Sequence, residues 1–132
     1  MSNDVITKEQ DTGLVDVIDN HDLGELIKPL VREIHLFDTF VAGTTHLEDK
    51  SVLEKIDIAD KLNLRREDNK FDDNAILILT ADGEKLGYVP EKDNLVFSRL
   101  MDAGKLLIAK IKSIDQKGSF TKISIGIYLV DY

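Results

Sequence analysis

The chain has no cysteine and no tryptophan, only two prolines, and an aromatic content of 6%. Without cysteine there can be no disulfide, no thiolate metal centre and no cysteine nucleophile. No window approaches the roughly 18 apolar residues that a membrane-spanning helix needs. The opening MSNDVITKEQDTG lacks the basic and apolar regions of a secretory leader. A cytosolic protein without membrane association, or a nuclear one in a eukaryote, is the expectation. Also missing are the phosphate loop GxxxxGK(S/T), the dinucleotide turn GxGxxG and the GxSxG elbow. Nucleotide hydrolysis and the common serine-hydrolase arrangement therefore lack support, and no enzyme activity is expected.

What is present is enough for one core: 132 residues, 42% of them hydrophobic. A net charge of −8 argues against nucleic acid as a partner, because phosphates are held mainly by lysine and arginine. Its distribution qualifies that argument. Residues 1–36 carry a net −5, from Asp4, Glu9, Asp11, Asp16, Asp19, Asp22, Glu25 and Glu33 against Lys8, Lys28 and Arg32. Residues 99–122 carry a local +4, with Arg99, Lys105, Lys110, Lys112, Lys117 and Lys122 against Asp102 and Asp115. These lysines either solvate the outer face of strands or meet an anionic ligand.

The first 13 residues are polar and aperiodic and read as a flexible tail. From Asp22, Leu23, Leu26, Ile27, Leu30 and Val31 follow a helical spacing that Pro29 interrupts. The remainder reads as strands. Ile34–Gly43 is β-branched and aromatic, and Lys61–Arg66 alternates, with Leu62 and Leu64 inward. Asn74–Ala81 is almost wholly apolar, which predicts cover on both faces, and Asp82-Gly83 predicts a two-residue type I′ turn into a return strand Glu84–Pro90. Asp93–Ala103 has helical period, with Val96, Leu100 and Ala103 on one side and Gly104 as a C-cap glycine. Strands Leu106–Ile114 and Phe120–Val130 follow, joined through Gln116-Lys117-Gly118. The expected fold is mainly β, with a minor α+β character: a small six-stranded OB/SH3-like barrel with one or two short helices. Residues 1–33 form an acidic extension, partly disordered or helical, and residues 34–132 the β domain.

Few residues offer chemistry. His21, His35 and His46 lie too far apart in sequence for a local metal-ligand pair. Asp72 and Asp73 with Glu67 and Asp68 have the composition of a divalent-metal site, but adjacent strand residues point apart. Short Asx side chains also bond their own backbone, so a stiff turn explains the acids as well. No cofactor or metal is expected. Gly87, between Leu86 and Tyr88, either admits a second backbone or a ligand at close range or marks a bulge.

The stretch KLNLRREDNKFDDNAILILTADGEKLGYVP, Lys61–Pro90, resembles the HIRAN domain family. The elements that carry the resemblance are Arg66-Glu67, the run Asn69-Lys70-Phe71-Asp72-Asp73-Asn74-Ala75-Ile76, and Leu86-Gly87-Tyr88-Val89-Pro90. An upstream strand ending in glycine, Phe40–Gly43, and the helix Asn94–Gly104 fit as well, so that the similarity spans about residues 34–130. The resemblance implies a modified OB barrel that captures the 3′ end of single-stranded DNA, with bases stacked on aromatics and an aspartate accepting a hydrogen bond from the terminal hydroxyl. By position, Phe71 and Asp72 match that aromatic-aspartate pair, Tyr88 a polar aromatic on the return strand, and Phe120 an aromatic at the start of the last strand. Arg65, Arg66, Lys110, Lys112 and Lys122 are the cations available for phosphates.

The chain departs from the family pattern in two places. Thr44-Thr45-His46 follows Gly43 where DNA-end-binding members carry a basic residue and two tyrosines, which leaves His46 as the one group there able to stack. Pro90-Glu91 replaces the lysine expected after the return strand, and Lys92 comes next. The resemblance thus implies a non-catalytic module for single-stranded DNA or DNA ends, accessory to repair, restriction or remodelling enzymes. The competing expectation is a protein-interaction module whose acidic extension, residues 1–36, docks a partner or covers the binding face.

Overall fold

The structure, a computed structural model, describes residues 32–131. The expected tail over residues 1–13 and the helical spacing from Asp22 to Val31 lie outside the described residues. Six strands follow along the chain: β1 (Arg32–Phe40), β2 (Lys61–Arg66), β3 (Ile76–Leu79), β4 (Lys85–Tyr88), β5 (Leu107–Lys117) and β6 (Phe120–Asp131). They form one sheet in the order β1-β6-β5-β2-β3-β4. One α-helix, α1 (Asn94–Asp102), and two 3₁₀ turns, Thr44–His46 and Lys50–Glu54, complete the described residues.

The mainly β architecture is the expected one, but the sheet is not closed by a continuous ladder. Its edges meet at a single antiparallel bridge, where Ala42 and Tyr88 exchange N–H···O bonds of 2.8 and 2.9 Å. Val41 still donates to Ile123 of β6 at 2.9 Å, so the chain leaving β1 crosses from β6 to β4 within two residues. Gly87 permits that crossing. A Cβ on Gly87 would stand 2.4 Å from the Ala42 carbonyl oxygen and 2.5 Å from the Val41 side chain. Of the two readings of this glycine, close approach of a second backbone holds, and a register shift in the β3–β4 pairing lies beside it.

Period-2 alternation builds the core. Ile123, Ile125 and Ile127 of β6 are fully buried and face Leu62 of β2 and Leu107, Ala109 and Ile111 of β5 in one cluster. Burying each such isoleucine contributes about 1.5–3 kcal/mol. All four β3 residues are buried, as expected of a strand covered on both faces.

Three local expectations are corrected. Asp82-Gly83 does not form a two-residue type I′ turn: β3 stops at Leu79, Gly83 N–H donates to the Thr80 carbonyl at 2.9 Å, and only Gly83 has positive φ. The Thr80 hydroxyl accepts the Glu84 N–H at 3.1 Å and stabilises this longer loop. The two-residue turn is instead at Gly118-Ser119, between the Lys117–Phe120 pair, with positive φ at Gly118 alone as a type II′ turn requires. Helix α1 ends as predicted: Gly104 at φ +92° bonds Met101 and Lys105 bonds Leu100, a Schellman cap. Its inner face differs, however. Phe97 and Ser98 are buried and Leu100 and Met101 pack on the core, whereas Val96 and Ala103 are exposed. Phe97 wins the inward position because Phe37 of β1 meets its ring at 5.7 Å.

Candidate nucleic-acid interface

The loop from Glu67 to Ala75 is a network of Asx turns. Asn69 Oδ1 accepts the Phe71 N–H at 2.8 Å, and Asp72 Oδ1 accepts the Asn74 N–H at 2.9 Å. Asp72 Oδ2 accepts from Asn94 Nδ2 at 2.9 Å, which ties the loop to the first residue of α1. Arg66 clamps the loop from the other side. Its guanidinium donates to the carbonyls of Ala75 (2.6 Å) and Asp73 (2.7 Å) and to the Asp102 carboxylate (2.9 and 3.3 Å). The sequence suggests both a structural and a binding role for these residues, and the donors of Arg66 are committed to structure.

The clamped loop holds Phe71 at its tip, 84% exposed. Lys70 reaches its ring, at 5.4 Å from the centroid. A single exposed hydrophobic side chain is ordinary on a protein surface, but an aromatic face presented by a hydrogen-bonded loop is the geometry that base stacking requires. Tyr88 belongs to the same network: its hydroxyl donates to the Glu67 carboxylate at 2.8 and 3.0 Å, and Glu67 accepts from Asn69 Nδ2 at 3.2 Å. Lys85 stands 4.8 Å from the Tyr88 ring centroid. Glu67 joins Tyr88 to the Phe71 loop, a link across 21 residues that only the β3–β4 hairpin creates.

On the other side of the Val41–Gly43 crossing, Gly43 at φ +84° starts the 3₁₀ turn that presents exposed Thr45 and His46. Buried Thr44 donates from its hydroxyl to the Thr121 carbonyl at 3.3 Å, which sets this turn beside the start of β6 and half-buried Phe120. Arg65 is exposed on β2. Phe71, Asp72 and Tyr88 are thus brought together through the loop and its network, and His46 and Phe120 through the turn on β6.

The lysines lie elsewhere, on the outer face of β5 and β6. Lys110 pairs with Glu33, which also accepts from Lys61 at 2.8 Å. Lys112 is the extra residue of a β5 bulge between the pairs Ile111–Ile125 and Ser113–Ser124, and its ammonium donates to both oxygens of Asp38 at 3.1 Å. The bulge is fixed from below, where Ala59 and Asp60 bond Ile111 at 2.8 and 3.0 Å. These cations hold their acids ionised. Lys110 and Lys61 lower the Glu33 pKa, and His35 and Lys112 lower that of Asp38. For Asp93, burial pushes upward, but hydrogen bonds from Lys92 and Thr39 outweigh it and the pKa falls. A depression of about 440 Å³ next to Asp38 is lined by Lys92, Lys112 and Lys122, with Phe40 and Ser124. In sequence Lys92 stands only as the residue after Pro90-Glu91; the Thr39–Asp93 hydrogen bond, which ties β1 to the residue before α1, places it in the same lining as Lys122.

Among the described residues, no three or more His, Asp or Glu side chains are placed to hold a metal, and no helix is long and apolar enough to cross a membrane. A small OB-like β domain with an aromatic loop, a turn on β6 and a lysine-bearing outer face is the class that fold and site define. The HIRAN domain model matches residues 34–130, and the chain belongs to the HIRAN family. Members of this family are in general nucleic-acid-binding modules. The crystal structure of a protein from Lactobacillus plantarum is similar with a TM-score of 0.71 and 26% identity, over 77% of this chain and 99% of that one. The crystal structure of the HIRAN domain of human HLTF has a TM-score of 0.61 and 16% identity over 76% of this chain and 78% of its own, a likeness of fold. No curated protein matches the sequence.

Proposed function

We propose that this protein is a non-catalytic module that contacts single-stranded DNA, as an accessory to repair, restriction or remodelling enzymes. The observation that carries the reading is Phe71, 84% exposed at the tip of a loop fixed on both sides by Arg66 and Asp72. An aromatic face held rigid offers a base about 1–3 kcal/mol of stacking without sequence preference. Pre-organisation also removes the ordering cost of binding. Tyr88 and His46 provide further aromatic surface, and Lys122 and Arg65 provide cations for phosphates. Neither Lys122 nor Arg65 has an ion-pair partner among the described residues.

Thr44 and Thr45 leave this chain without two groups that the family pattern uses at a DNA end, and Asp72 already accepts two hydrogen bonds within the fold. General single-strand contact therefore fits better than capture of a 3′ hydroxyl. Titration with oligothymidylates that end in a 3′ hydroxyl or a 3′ phosphate tests this. Equal affinity supports the reading, and preference for the free hydroxyl by tenfold or more restores end capture.

A further inference from the structure

The outer face of β5 and β6 already has anions seated on it, and they are the protein's own. Glu33 lies between Lys61 and Lys110, and Asp38 between His35 (2.6 Å) and Lys112. Tyr128 stands between the two groups: Lys110 is 4.8 Å from its ring centroid, and the His35 ring meets it edge-on at 5.3 Å. Each carboxylate thus sits between two cationic or donor side chains with an aromatic ring between them, the order in which a single strand presents phosphate, base and phosphate. Gly126 is buried because the Tyr128 ring and the Asp38 carboxylate close over it. A Cβ there would meet Tyr128 at 3.0 Å and Asp38 Oδ1 at 3.3 Å.

Lys61, Lys92, Lys110, Lys112 and Lys122 stand with Glu33, Asp38, Asp93 and Asp115, the last opposite Lys122 in the β5–β6 pairing, and leave one cation in excess. Lys122 has no ion-pair partner among the described residues and lines the depression beside Asp38 with Lys92 and Lys112. The side chains of Asp38, Lys112 and Lys61 are about half exposed or more, so their pairs hold β1 weakly, whereas the Glu33–Lys110 pair is more covered, at 25% and 29%. β1 is held by its place in the sheet and by Phe37 on Phe97. Exchanging the Asp38 carboxylate for a phosphate therefore costs little structure, and at Glu33 the contact with Lys110 must open first.

We propose that the outer face of β5 and β6 is a phosphodiester-binding surface for single-stranded nucleic acid, and that Glu33 and Asp38 occupy two of its phosphate positions and keep its affinity low. This extends the nucleic-acid reading above to a second surface and rests on it for the identity of the ligand. It also gives the local positive charge of residues 99–122 a role despite the net charge of −8.

The test is the double variant Glu33→Gln/Asp38→Asn, titrated with oligothymidylate and, separately, with inorganic polyphosphate, which has no bases. The control is Glu48→Gln/Glu54→Gln, the same change of charge at two exposed acids with no ion pair among the described residues. The proposal expects Glu33→Gln/Asp38→Asn to bind oligothymidylate at least about tenfold more tightly than the control, with a salt dependence steeper by about 0.7 per added phosphate. Lys110→Gln/Lys112→Gln in that background should reverse the gain. As an independent readout, Lys122→Gln in the otherwise native chain should make the salt dependence shallower. The proposal is overturned if Glu33→Gln/Asp38→Asn binds no more tightly than the control, or if only polyphosphate binding tightens. Gain on both ligands without any effect of Phe71→Ala supports this surface while sinking the role of the aromatic loop. Loss in Phe71→Ala without gain in the double variant does the reverse.

Discussion

Gly87 and Ala42 are in backbone contact: a Cβ on Gly87 would lie 2.4 Å from the Ala42 carbonyl oxygen, beside the two hydrogen bonds that join Ala42 to Tyr88. This contact joins the two edges of the sheet and brings Gly43, the start of the His46 turn, beside Tyr88, whose ring would lie 3.9 Å from a Cβ on Gly43. Gly87→Ala should therefore destabilise by about 2–3 kcal/mol, the overpacking cost where the obstacle is backbone. Chemical denaturation measures it. An unchanged midpoint would show that the crossing can shift freely.

Arg66 fixes the loop through two carbonyls and Asp102, with its side chain only 26% exposed. Arg66→Lys keeps the charge but loses the planar fork that reaches both carbonyls at once. The expected loss is about 1–3 kcal/mol, read by denaturation, with faster amide exchange confined to residues 67–75. Uniform exchange changes across the sheet would contradict a local clamp.

The pairs on the outer face make stability depend on acid. Hydrogen bonds from Lys110 and Lys61 lower the Glu33 pKa, and those from His35 and Lys112 lower that of Asp38. A depressed carboxylate contributes stability that is complete above the ordinary carboxylate range and is lost as pH falls through that range to the lowered value. The denaturation midpoint should fall between about pH 5 and pH 2 more steeply for the native chain than for Glu33→Gln/Asp38→Asn. Parallel curves would show that the pairs do not couple to folding.

Much of the fold can be read directly from the residues. Lys61–Arg66 alternates in period 2 and forms a strand with those bounds, and Gly104 marks the end of α1 because only glycine accepts its φ of +92° at no cost. Elsewhere distant partners decide. Phe37, sixty positions away in the chain, draws Phe97 inward and leaves Val96 in water. The Thr80 hydroxyl changes the turn that Asp82-Gly83 alone would make. For the candidate interface, the motif proposes Phe71, Asp72 and Tyr88, but no pattern in sequence says that Phe71 is exposed while Asp72 is engaged. Nor does local charge show that Lys112 meets Asp38 across 74 positions.

In the proposed function Phe71 is the stacking platform. Its exposure predicts that Phe71→Ala changes stability by less than about 0.5 kcal/mol, so that any loss of binding belongs to the ligand contact. Fluorescence anisotropy with a labelled oligothymidylate at low salt compares the two proteins directly. The account predicts saturable binding by the native chain and affinity weaker by about 1–3 kcal/mol, roughly 5- to 150-fold, in Phe71→Ala. Equal affinity of the two folded proteins, or no saturable binding by either, would contradict it.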